Sequence, residues 1–541
     1  MEELAKLLDQ ISGYVWGPPM LFLLFGTHIF LTIRLRFIQK FIGKAIKISL
    51  ERSKEGEGDV SQFGALTTAL AATIGTGNIV GVATAVASGG PGAVLWMWLT
   101  GVFGVATKYA EAVLSVKYRV TTKDGSMAGG PMYALERGMN AKWLGIVFAA
   151  LTAVAAFGIG SMVQANSISE LVKETFGISP WISGAIMTIL TAVVILGGIK
   201  SIAKVCEALV PFMAFFYVGG CLILLIIKYD TIPQTIMLIL SSAFTGQAAA
   251  GGFLGAGVAQ AMRYGIARGL FSNESGLGSA PIVAAAAQTR NPVRQALVSS
   301  TGTFWDTVVV CLITGLVIVN SGGWTRNTIE IENLPPNLKA SLETQKGYMR
   351  GSVKFENIEP SLKVSLAMAG AWPKVRVELD KLSPDLKAAV INAKIIDGEI
   401  LAFDKAAIDI REAIAKTDAW SPTGLKGSVL TKCAFEDIPT IGPIVLTIGL
   451  LTFVFSTILG WSYYGEKASE YLFGPSVITP YRILWVISVM VGSVVSLKMV
   501  WDFADIANGL MAIPNLISLL VLNKVIREET RKYLWEGNID N

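Results

Sequence analysis

The chain has 541 residues, of which 52% are hydrophobic and only 16% are charged, whereas soluble domains carry about 25% charged residues. The mean hydropathy is +0.55, so the composition excludes an ordinary soluble protein and predicts a membrane protein. The net charge of +5 could indicate a nucleic-acid partner, but the positive residues cluster beside apolar stretches, which favours a membrane protein.

Residue types that carry enzyme chemistry are sparse. The sequence holds four cysteines and one histidine, His28, and no two cysteines form a CxxC pair, so neither a zinc site nor a disulfide framework is predicted. The sequence also lacks a GxxxxGK[ST] phosphate-binding loop. We therefore predict that the chain is not an enzyme and uses no cofactor.

In chain order, eleven apolar stretches reach the length of about 20 residues that a transmembrane helix needs. The sequence therefore predicts an all-α polytopic membrane protein with eleven transmembrane helices. The stretches lie near residues 13–34, 63–88, 92–117, 143–170, 180–198, 205–228, 247–266, 294–320, 439–462, 481–499 and 501–524.

Basic residues in the connecting segments set the expected orientation. They follow the first, seventh and eleventh spans, and these segments share one side of the membrane if all eleven spans cross it. The positive-inside rule makes that side cytoplasmic, so we expect a multi-pass protein of the cell membrane with its N-terminus outside and its C-terminus inside. The residues are Arg34, Arg36, Lys40, Lys44, Lys47, Arg52, Lys54, Arg263, Arg268, Arg290, Arg294, Lys524, Arg527, Arg531 and Lys532.

Residues 321–438 interrupt the pattern with a charged, proline-containing stretch that has no apolar span. We expect an extracellular insertion without a role in transport, with helical periodicity over 383–416; a lid or partner-binding role is the alternative. The chain then divides into an extra N-terminal helix and basic segment (1–62), a first half (63–246), the start of a second half (247–320), the insertion (321–438), and the rest of the second half with the tail (439–541).

The second span carries Gly75 and Gly77 midway along an apolar helix, beside Thr76 and Asn78. Glycine inside a helix costs about 1 kcal/mol relative to alanine, and polar groups at that depth need partners. A break in the helix explains both, because it frees N–H groups suited to a carboxylate and carbonyls suited to Na⁺. Close helix packing through Gly77 and Gly81 is the alternative, and the second span alone does not decide.

The seventh span repeats this peculiarity with glycines at 251, 252, 255 and 257. When the first span is set aside, the second and seventh spans each open a group of five. Interrupted segments at matching positions in two halves indicate a transporter site. The pairing favours a break over close packing and predicts an inverted repeat.

Five stretches resemble the signature sequences of the sodium:alanine (alanine or glycine:cation) symporter family: Gly64–Leu70, Gly75–Gly81, Gly89–Trp98, Phe271–Pro281 and Ile458–Glu466. The resemblance covers nearly all of the chain outside 321–438. It implies a leucine-transporter-type 5+5 inverted repeat plus one extra N-terminal helix. It also implies sodium-coupled import of alanine, glycine or a similar small neutral amino acid by alternating access.

The resemblance also implies a substrate site at the predicted break. By this analogy the substrate carboxylate lies against the break, and aromatic side chains wall the pocket. Ser161 and Gln164 share one face of the fourth span, with inter-helix hydrogen bonding as the alternative; for Trp461 the alternative is an interfacial anchor. The implied substrate-binding residues are Gly75, Thr76, Gly77, Asn78, Ser161, Gln164, Phe253, Gly257, Thr457 and Trp461.

For the coupling ion, the resemblance implies Na⁺ held by oxygens alone, which suit a hard cation. The ligands would be the carbonyls of Ala71, Ile74 and Phe453 and the hydroxyls of Ser456 and Thr457, with back-bonding of the hydroxyls within their own helix as the alternative. A proton-coupled carrier of the same fold is the nearest rival function, but we expect no titratable group near the break. An ion channel is the second rival.

Two further groups of polar residues accompany the spans. Lys108 and Glu111 lie within one turn of the third span, near its expected cytoplasmic end, and are interpreted as a solvated or gating pair. Arg268, Asn273 and Glu274 are expected in an inner loop, where an inner-gate role is a hypothesis.

Overall fold

The structure, a computed structural model, describes most of the helical part of the chain. Phe253 and Gly257, both predicted in the substrate site, lie outside the described residues, as does most of 321–438. The described residues are 8, 10–11, 13–51, 56–123, 125–245, 258–322, 427–436, 441–495 and 498–540, with seven short strand segments between 328 and 422.

Runs of Leu, Ile, Val and Ala form helices here because a chain in lipid must satisfy its backbone hydrogen bonds internally. The first eleven helices are α1 (Pro18–Arg34), α2 (Ile42–Leu50), α3 (Gln62–Thr73), α4 (Val82–Gly89), α5 (Ala93–Lys117), α6 (Pro131–Tyr133), α7 (Lys142–Ala155), α8 (Val163–Phe176), α9 (Pro180–Ile195), α10 (Gly198–Ile227) and α11 (Ile232–Thr245). The remaining helices are α12 (Val258–Asn273), α13 (Pro281–Ala284), α14 (Pro292–Thr303), α15 (Leu312–Asn320), α16 (Gly427–Glu436), α17 (Ile441–Phe473), α18 (Ile478–Val494), α19 (Lys498–Val521) and α20 (Asn523–Thr530).

Wider and tighter helical turns join several of these helices. Wide π-helical turns occupy Gly77–Gly81, Ala134–Gly138, Ala156–Met162, Phe304–Cys311 and Arg531–Trp535, and 3₁₀ turns occupy Ile38–Phe41, Tyr229–Thr231 and Pro475–Val477. Segments of π-helix often occur at functional sites, because they release backbone groups from the regular ladder.

The described strands are all short and antiparallel. One pair, β1 (Val120–Thr121) and β2 (Met127–Ala128), follows α5. The others lie within 321–438 and form sheets of order β3-β5-β4, β6-β9 and β7-β8. They are β3 (Thr328–Glu330), β4 (Tyr348–Met349), β5 (Ser352–Lys354), β6 (Val375–Val377), β7 (Ile395–Ile396), β8 (Glu399–Ile400) and β9 (Trp420–Pro422). The predicted helix over 383–416 is therefore wrong at β7 and β8.

The described helices support a polytopic membrane protein. Six of them are long and apolar enough to cross a membrane, and the number rises to eight if two sharply bent pairs each count as one span. Their outward side chains include many exposed large apolar residues, among them Phe22, Ile189, Phe215 and Ile483, as expected of a lipid-facing surface. The all-α polytopic prediction is confirmed, whereas the count of eleven stays a prediction.

Several predicted spans differ in their bounds from the described helices, and the seventh and ninth differ the most. The seventh was expected at 247–266, but α11 ends at Thr245 and α12 runs from Val258 to Asn273, so the described helices flank the glycine-rich stretch. The sequence missed α11 because its 14 residues fall short of a full span. The ninth was expected to end at 462, but α17 continues to Phe473, because its later polar residues find partners within the fold.

Helix α17 organises the centre of the molecule. It packs against α3, against α10, and against α7 and α8 with the π-helical turn between them. Helix α14 packs against α5, and α12 packs against both α4 and α5. The junction of α3 and α4 therefore lies between α17 on one side and α12 and α14 on the other, where the candidate site is built.

Candidate functional site

The predicted interruption of the second span is present. Helix α3 is capped by Ser61, whose hydroxyl accepts a hydrogen bond from the N–H of Gly64 at 2.8 Å, and it ends at Thr73. The chain resumes as a π-helical turn at Gly77 that leads into α4, and the two halves are bent by 54°. We call residues 74–76 the break.

Glycines let α17 approach the break closely. A Cβ on Gly75 would lie 2.6 Å from the Thr457 hydroxyl oxygen, and a Cβ on Gly460 would lie 2.7 Å from the backbone nitrogen of Ala72. Real Cβ contacts are not that short, so both positions require glycine for this packing. The end of α3 and the middle of α17 therefore share one interface.

Five oxygens gather at that interface. The Ser456 hydroxyl donates to the carbonyls of Ala71 (3.2 Å) and Phe453 (2.8 Å). The Thr457 hydroxyl donates to the carbonyls of Phe453 (3.0 Å) and Ile74 (3.4 Å). The structure thus brings together all the residues that the resemblance implied for Na⁺. Back-bonding to Phe453 within α17 is present for both hydroxyls, and both also reach the carbonyls of α3 and the break.

A carboxylate lies beside the break, contrary to the sequence-based expectation. Asp306 is fully buried, and its carboxylate accepts hydrogen bonds from the Asn78 amide (2.6 Å), the Thr307 hydroxyl (2.6 Å) and the Ser272 hydroxyl (3.1 Å). The expectation that no titratable group lies near the break is wrong. Asp306 is the only acidic residue between 294 and 320, and an acidic residue within a span is itself a signal of function.

Asn78 connects Asp306 to the break. Its side-chain oxygen accepts a hydrogen bond from the Gly75 N–H at 2.8 Å, while its side-chain nitrogen donates to Asp306. One of the N–H groups expected to face a substrate carboxylate is therefore engaged by Asn78. Thr76 and Gly77, which follow Gly75 in the chain, are both buried at the same turn.

The two polar residues of the fourth span differ in their contacts. The Ser161 hydroxyl lies 2.7 Å from that of Ser488 on α18, so inter-helix hydrogen bonding describes it. The Gln164 side chain donates to the Ile159 carbonyl at 3.0 Å, a group within the adjoining π-helical turn. Its buried side-chain oxygen has no hydrogen-bond partner among the described residues, which leaves Gln164 the better placed of the two to bind a donor.

Trp461 is buried at the centre rather than anchored at the membrane surface. Its side chain is 1% exposed, and its indole N–H donates to the Glu274 carboxylate at 3.0 Å. A Cβ on Gly160 would lie 2.3 Å from the Trp461 Cβ, so a glycine of the fourth span makes room for the ring. The interfacial-anchor alternative for Trp461 is therefore wrong.

Two long parts of the chain match one known protein family. Residues 1–349 and 408–539 match the sodium:alanine symporter family. The chain belongs to that family. The unmatched residues 350–407 fall inside the predicted insertion, and the match extends through 321–349 and 408–438, so the segment that departs from the family is shorter than expected.

Relatives cover almost the full length of this family member. The sodium/alanine symporter AgcS of Methanococcus maripaludis is 44% identical over 98% of this chain and 97% of its own. An uncharacterized transporter of Haemophilus influenzae is 42% identical over 99% and 98%, and the probable sodium/glutamine symporter GlnT of Bacillus subtilis is 29% identical over 98% and 91%. These comparisons establish a membrane symporter rather than an enzyme.

A solved structure of a manganese transporter variant from Eremococcus coleocola also matches this symporter. It aligns with a TM-score of 0.42 and 11% identity, over 87% of this chain and 81% of that chain. A likeness of that size is too weak to assign the order of the helices.

In this symporter, Lys108 and Glu111 are buried on α5, with 4% and 3% exposure, so the solvated-pair interpretation is wrong. One Glu111 oxygen accepts from the Gly276 N–H (3.0 Å) and the Asn515 side chain (2.7 Å). The other has no hydrogen-bond partner among the described residues. Glu111 thereby fixes the loop after α12 to α19.

The residues that were expected in an inner loop lie in a helix or directly after it. Arg268 and Asn273 belong to α12, and Glu274 follows it directly with a left-handed backbone (φ 54°). Besides Trp461, Glu274 accepts a hydrogen bond from the Ser279 hydroxyl. Glu274 therefore links the end of α12 to α17.

Proposed function

We propose that this family member imports small neutral amino acids, such as alanine and glycine, coupled to sodium and by alternating access. Membership of the family establishes a cation-coupled amino-acid symporter in coarse terms. The proposal adds the ion, the substrate class and the direction. In keeping with the family resemblance, we propose eleven transmembrane helices in a 5+5 inverted repeat with an extra N-terminal helix, an outer N-terminus and a cytoplasmic C-terminus.

The five oxygens at the break carry the sodium proposal. Three are carbonyls and two are hydroxyls, all are neutral, and all lie where α3 ends and α17 passes. Oxygen ligands without sulfur or nitrogen suit a hard cation such as Na⁺. The carbonyls of Ala71 and Ile74 lie at the end of α3, which is the negative end of its helix dipole. This arrangement supports Ala71, Ile74, Phe453, Ser456 and Thr457 as the ligands of the transported ion.

We infer that a small zwitterion binds beside that ion. Its carboxylate would meet Na⁺ and the start of the second half-helix at Thr76 and Gly77, where N–H groups face outward from a helix start. The bulky Trp461 ring, held by its hydrogen bond to Glu274, would close one side and limit side-chain length. Gln164 offers an unengaged oxygen to the ammonium group. Phe253 and Gly257 stay predictions for the remaining wall.

Proton coupling is the second candidate, because Asp306 provides a titratable group one side chain away from the break. A proton on Asp306 would change its bond to Asn78 and so act on the break. Sodium is preferred because the five-oxygen cluster has no group that a proton would bind.

Reconstitution separates the two candidates. The purified protein in proteoliposomes should accumulate radiolabelled alanine when an inward Na⁺ gradient is imposed, with both sides at the same pH. A pH gradient without Na⁺ should give no accumulation. Competition by unlabelled glycine, serine and glutamine then ranks the substrates. Uptake driven equally well by the pH gradient alone would refute sodium coupling and select the Asp306 alternative.

A further inference from the structure

A small cavity lies beside the inner half of the broken helix. It touches the last turn of α3, the middle of α5, the end of α12 and the loop that follows it, and α14. Its size is that of one small ion, one water molecule or a single carboxylate group, so the rest of a bound amino acid would lie outside it. The lining residues are Ala69, Thr73, Lys108, Ala112, Asn273, Ala280, Pro281, Ser299 and Gly302.

Two hydrogen-bond donors on its wall are unsatisfied. The ammonium nitrogen of Lys108 and the side-chain nitrogen of Asn273 have no hydrogen-bond partner among the residues that the structure describes. The two residues are 4% and 1% exposed. A buried donor without an acceptor costs about 1–3 kcal/mol, and more when it is charged. Two such donors on one cavity indicate that the cavity accommodates an acceptor.

Nearby carboxylates do not supply that acceptor. Glu111, Glu274 and Asp306 lie close enough to interact electrostatically with Lys108. Within the described ranges, however, the Lys108 ammonium forms no ion pair within 4 Å. The carboxylates of Glu274 and Asp306 are instead engaged by Trp461, Ser279, Asn78, Ser272 and Thr307. One Glu111 oxygen is also without a hydrogen-bond partner among the described residues, but it forms no hydrogen bond to Lys108. The three carboxylates therefore offset the charge of Lys108 from a distance without satisfying its hydrogen bonds.

We propose that Lys108 and Asn273 form a binding site for a single monovalent anion, either a chloride ion or the carboxylate group of a departing amino acid. Thr73 belongs both to the cavity wall and to the turn that precedes the break, so an anion here lies next to the proposed substrate site. The α3 side of the break is the proposed cytoplasmic side. The inference that the anion site lies on the path by which the amino acid leaves toward the cytoplasm therefore rests on the proposed function. The inference of the anion site itself does not.

The test compares the two faces of the membrane. Alanine transport is measured in right-side-out and inside-out vesicles at the same Na⁺ concentration, for the natural chain, Lys108→Met and Lys108→Arg. If the anion is the substrate carboxylate, Lys108→Met raises the half-saturating alanine concentration at the cytoplasmic face about tenfold, as expected for one lost charge-assisted hydrogen bond. The outer-face value should change less than about twofold, and Lys108→Arg should restore most of the difference.

A second arm replaces chloride by gluconate on both sides. If the anion is chloride, transport by the natural chain falls in gluconate, and transport by Lys108→Met does not respond. Should Lys108→Met fail to insert, Asn273→Leu serves instead and should show a smaller change of the same kind. Thr107→Val is the matched control, because Thr107 is buried on the same helix but bonds to His28 away from the cavity.

Variants that behave like the natural chain in both arms, with neither a one-sided change nor a change in chloride response, would overturn the anion site and leave a buried water there. This result differs from the one expected if the proposed function is wrong. Loss of sodium coupling would appear as Na⁺-independent uptake by the natural chain. The anion test compares variants at one fixed Na⁺ concentration.

Discussion

Helix α17 contains two polar regions that hold their oxygens in different ways. In its middle, Ser456 and Thr457 present neutral hydroxyls to the neutral carbonyls of α3. Near its end lie the charged side chains of Glu466 and Lys467, and each forms an ion pair with another residue. Glu466 accepts two hydrogen bonds from Arg482 of α18 at 2.6 and 2.9 Å.

The charged side chains near the end of α17 have partners close to them in the fold. Lys467 contacts both Glu470 (2.8 Å) and the Ser126 hydroxyl (2.8 Å), and the Lys467 and Glu470 side chains are 4% and 3% exposed. Each charge already has a partner, so this region adds rigidity and leaves no charge for a transported ion. The neutral region has dipoles without a resident counter-charge, so it can take up a cation and release it. Neutral oxygens are therefore suited to binding and releasing a transported ion, whereas paired charges are suited to a rigid contact between helices.

The largest expected effect follows from unpairing the charged region. Lys467→Met leaves Glu470 buried without its partner, which should lower the free energy of unfolding by about 3–5 kcal/mol. Thermal unfolding of the detergent-solubilised protein measures this. The double variant Lys467→Met with Glu470→Gln removes both charges and should recover most of the stability. The half-saturating Na⁺ concentration of the folded fraction should be unchanged; a rise would mean that the two regions are not independent.

A steric change at the junction of the two helices comes next. Gly75→Ala places a methyl group against the Thr457 hydroxyl, and overpacking of this kind costs about 1–3 kcal/mol. Because the strain falls on Thr457 itself, Na⁺-driven alanine uptake should be lost while the protein still inserts. Gly26→Ala is the control, since a Cβ there meets nothing within 4 Å. Normal uptake by Gly75→Ala would show that the contact is not needed for transport.

Removing one neutral oxygen should give a smaller and purely functional effect. Thr457→Val keeps the shape of the side chain but removes the hydroxyl that faces Ile74 and Phe453. The half-saturating Na⁺ concentration should rise about tenfold, equivalent to about 1.4 kcal/mol, with little loss of thermal stability. Thr452→Val is the matched control, because Thr452 bonds only within its own helix in the described contacts. An unchanged Na⁺ dependence in Thr457→Val would remove Thr457 from the ion site.

The sequence predicted the break from glycines at matching positions of two spans, because the second span alone left close packing as an alternative. Gly75 and Gly77 are costly in an uninterrupted apolar helix, and an interruption of the helix removes that cost. The residues that lie opposite the break could not be predicted in this way, since nothing in the sequence around Ser456 or Thr457 indicates that α3 packs against them. Those residues came from resemblance to a family, and the structure places them together.

The parts that sequence reasoning missed depend on tertiary contacts. Helix α17 runs on past residue 462 because Glu466 and Lys467 find partners on other segments, which hydropathy does not register. Asp306 was overlooked for a related reason: one acid among apolar residues barely alters the mean hydropathy of a span. Its importance emerges only when Asn78 and Ser272 meet it.

The smallest expected effect tests whether Asp306 belongs with the neutral region or with the charged one. Asp306→Asn keeps an oxygen for the Asn78 amide but removes the charge. If Na⁺ at the five oxygens is the coupling ion, uptake should persist with less than about a tenfold change in half-saturating Na⁺, since only a neighbouring hydrogen bond weakens. The natural chain and the variant should also share one pH profile of uptake between pH 5 and 8. A variant that loses accumulation, or whose pH profile flattens while Thr457→Val has no effect, would make Asp306 the coupling group and the five oxygens a structural joint.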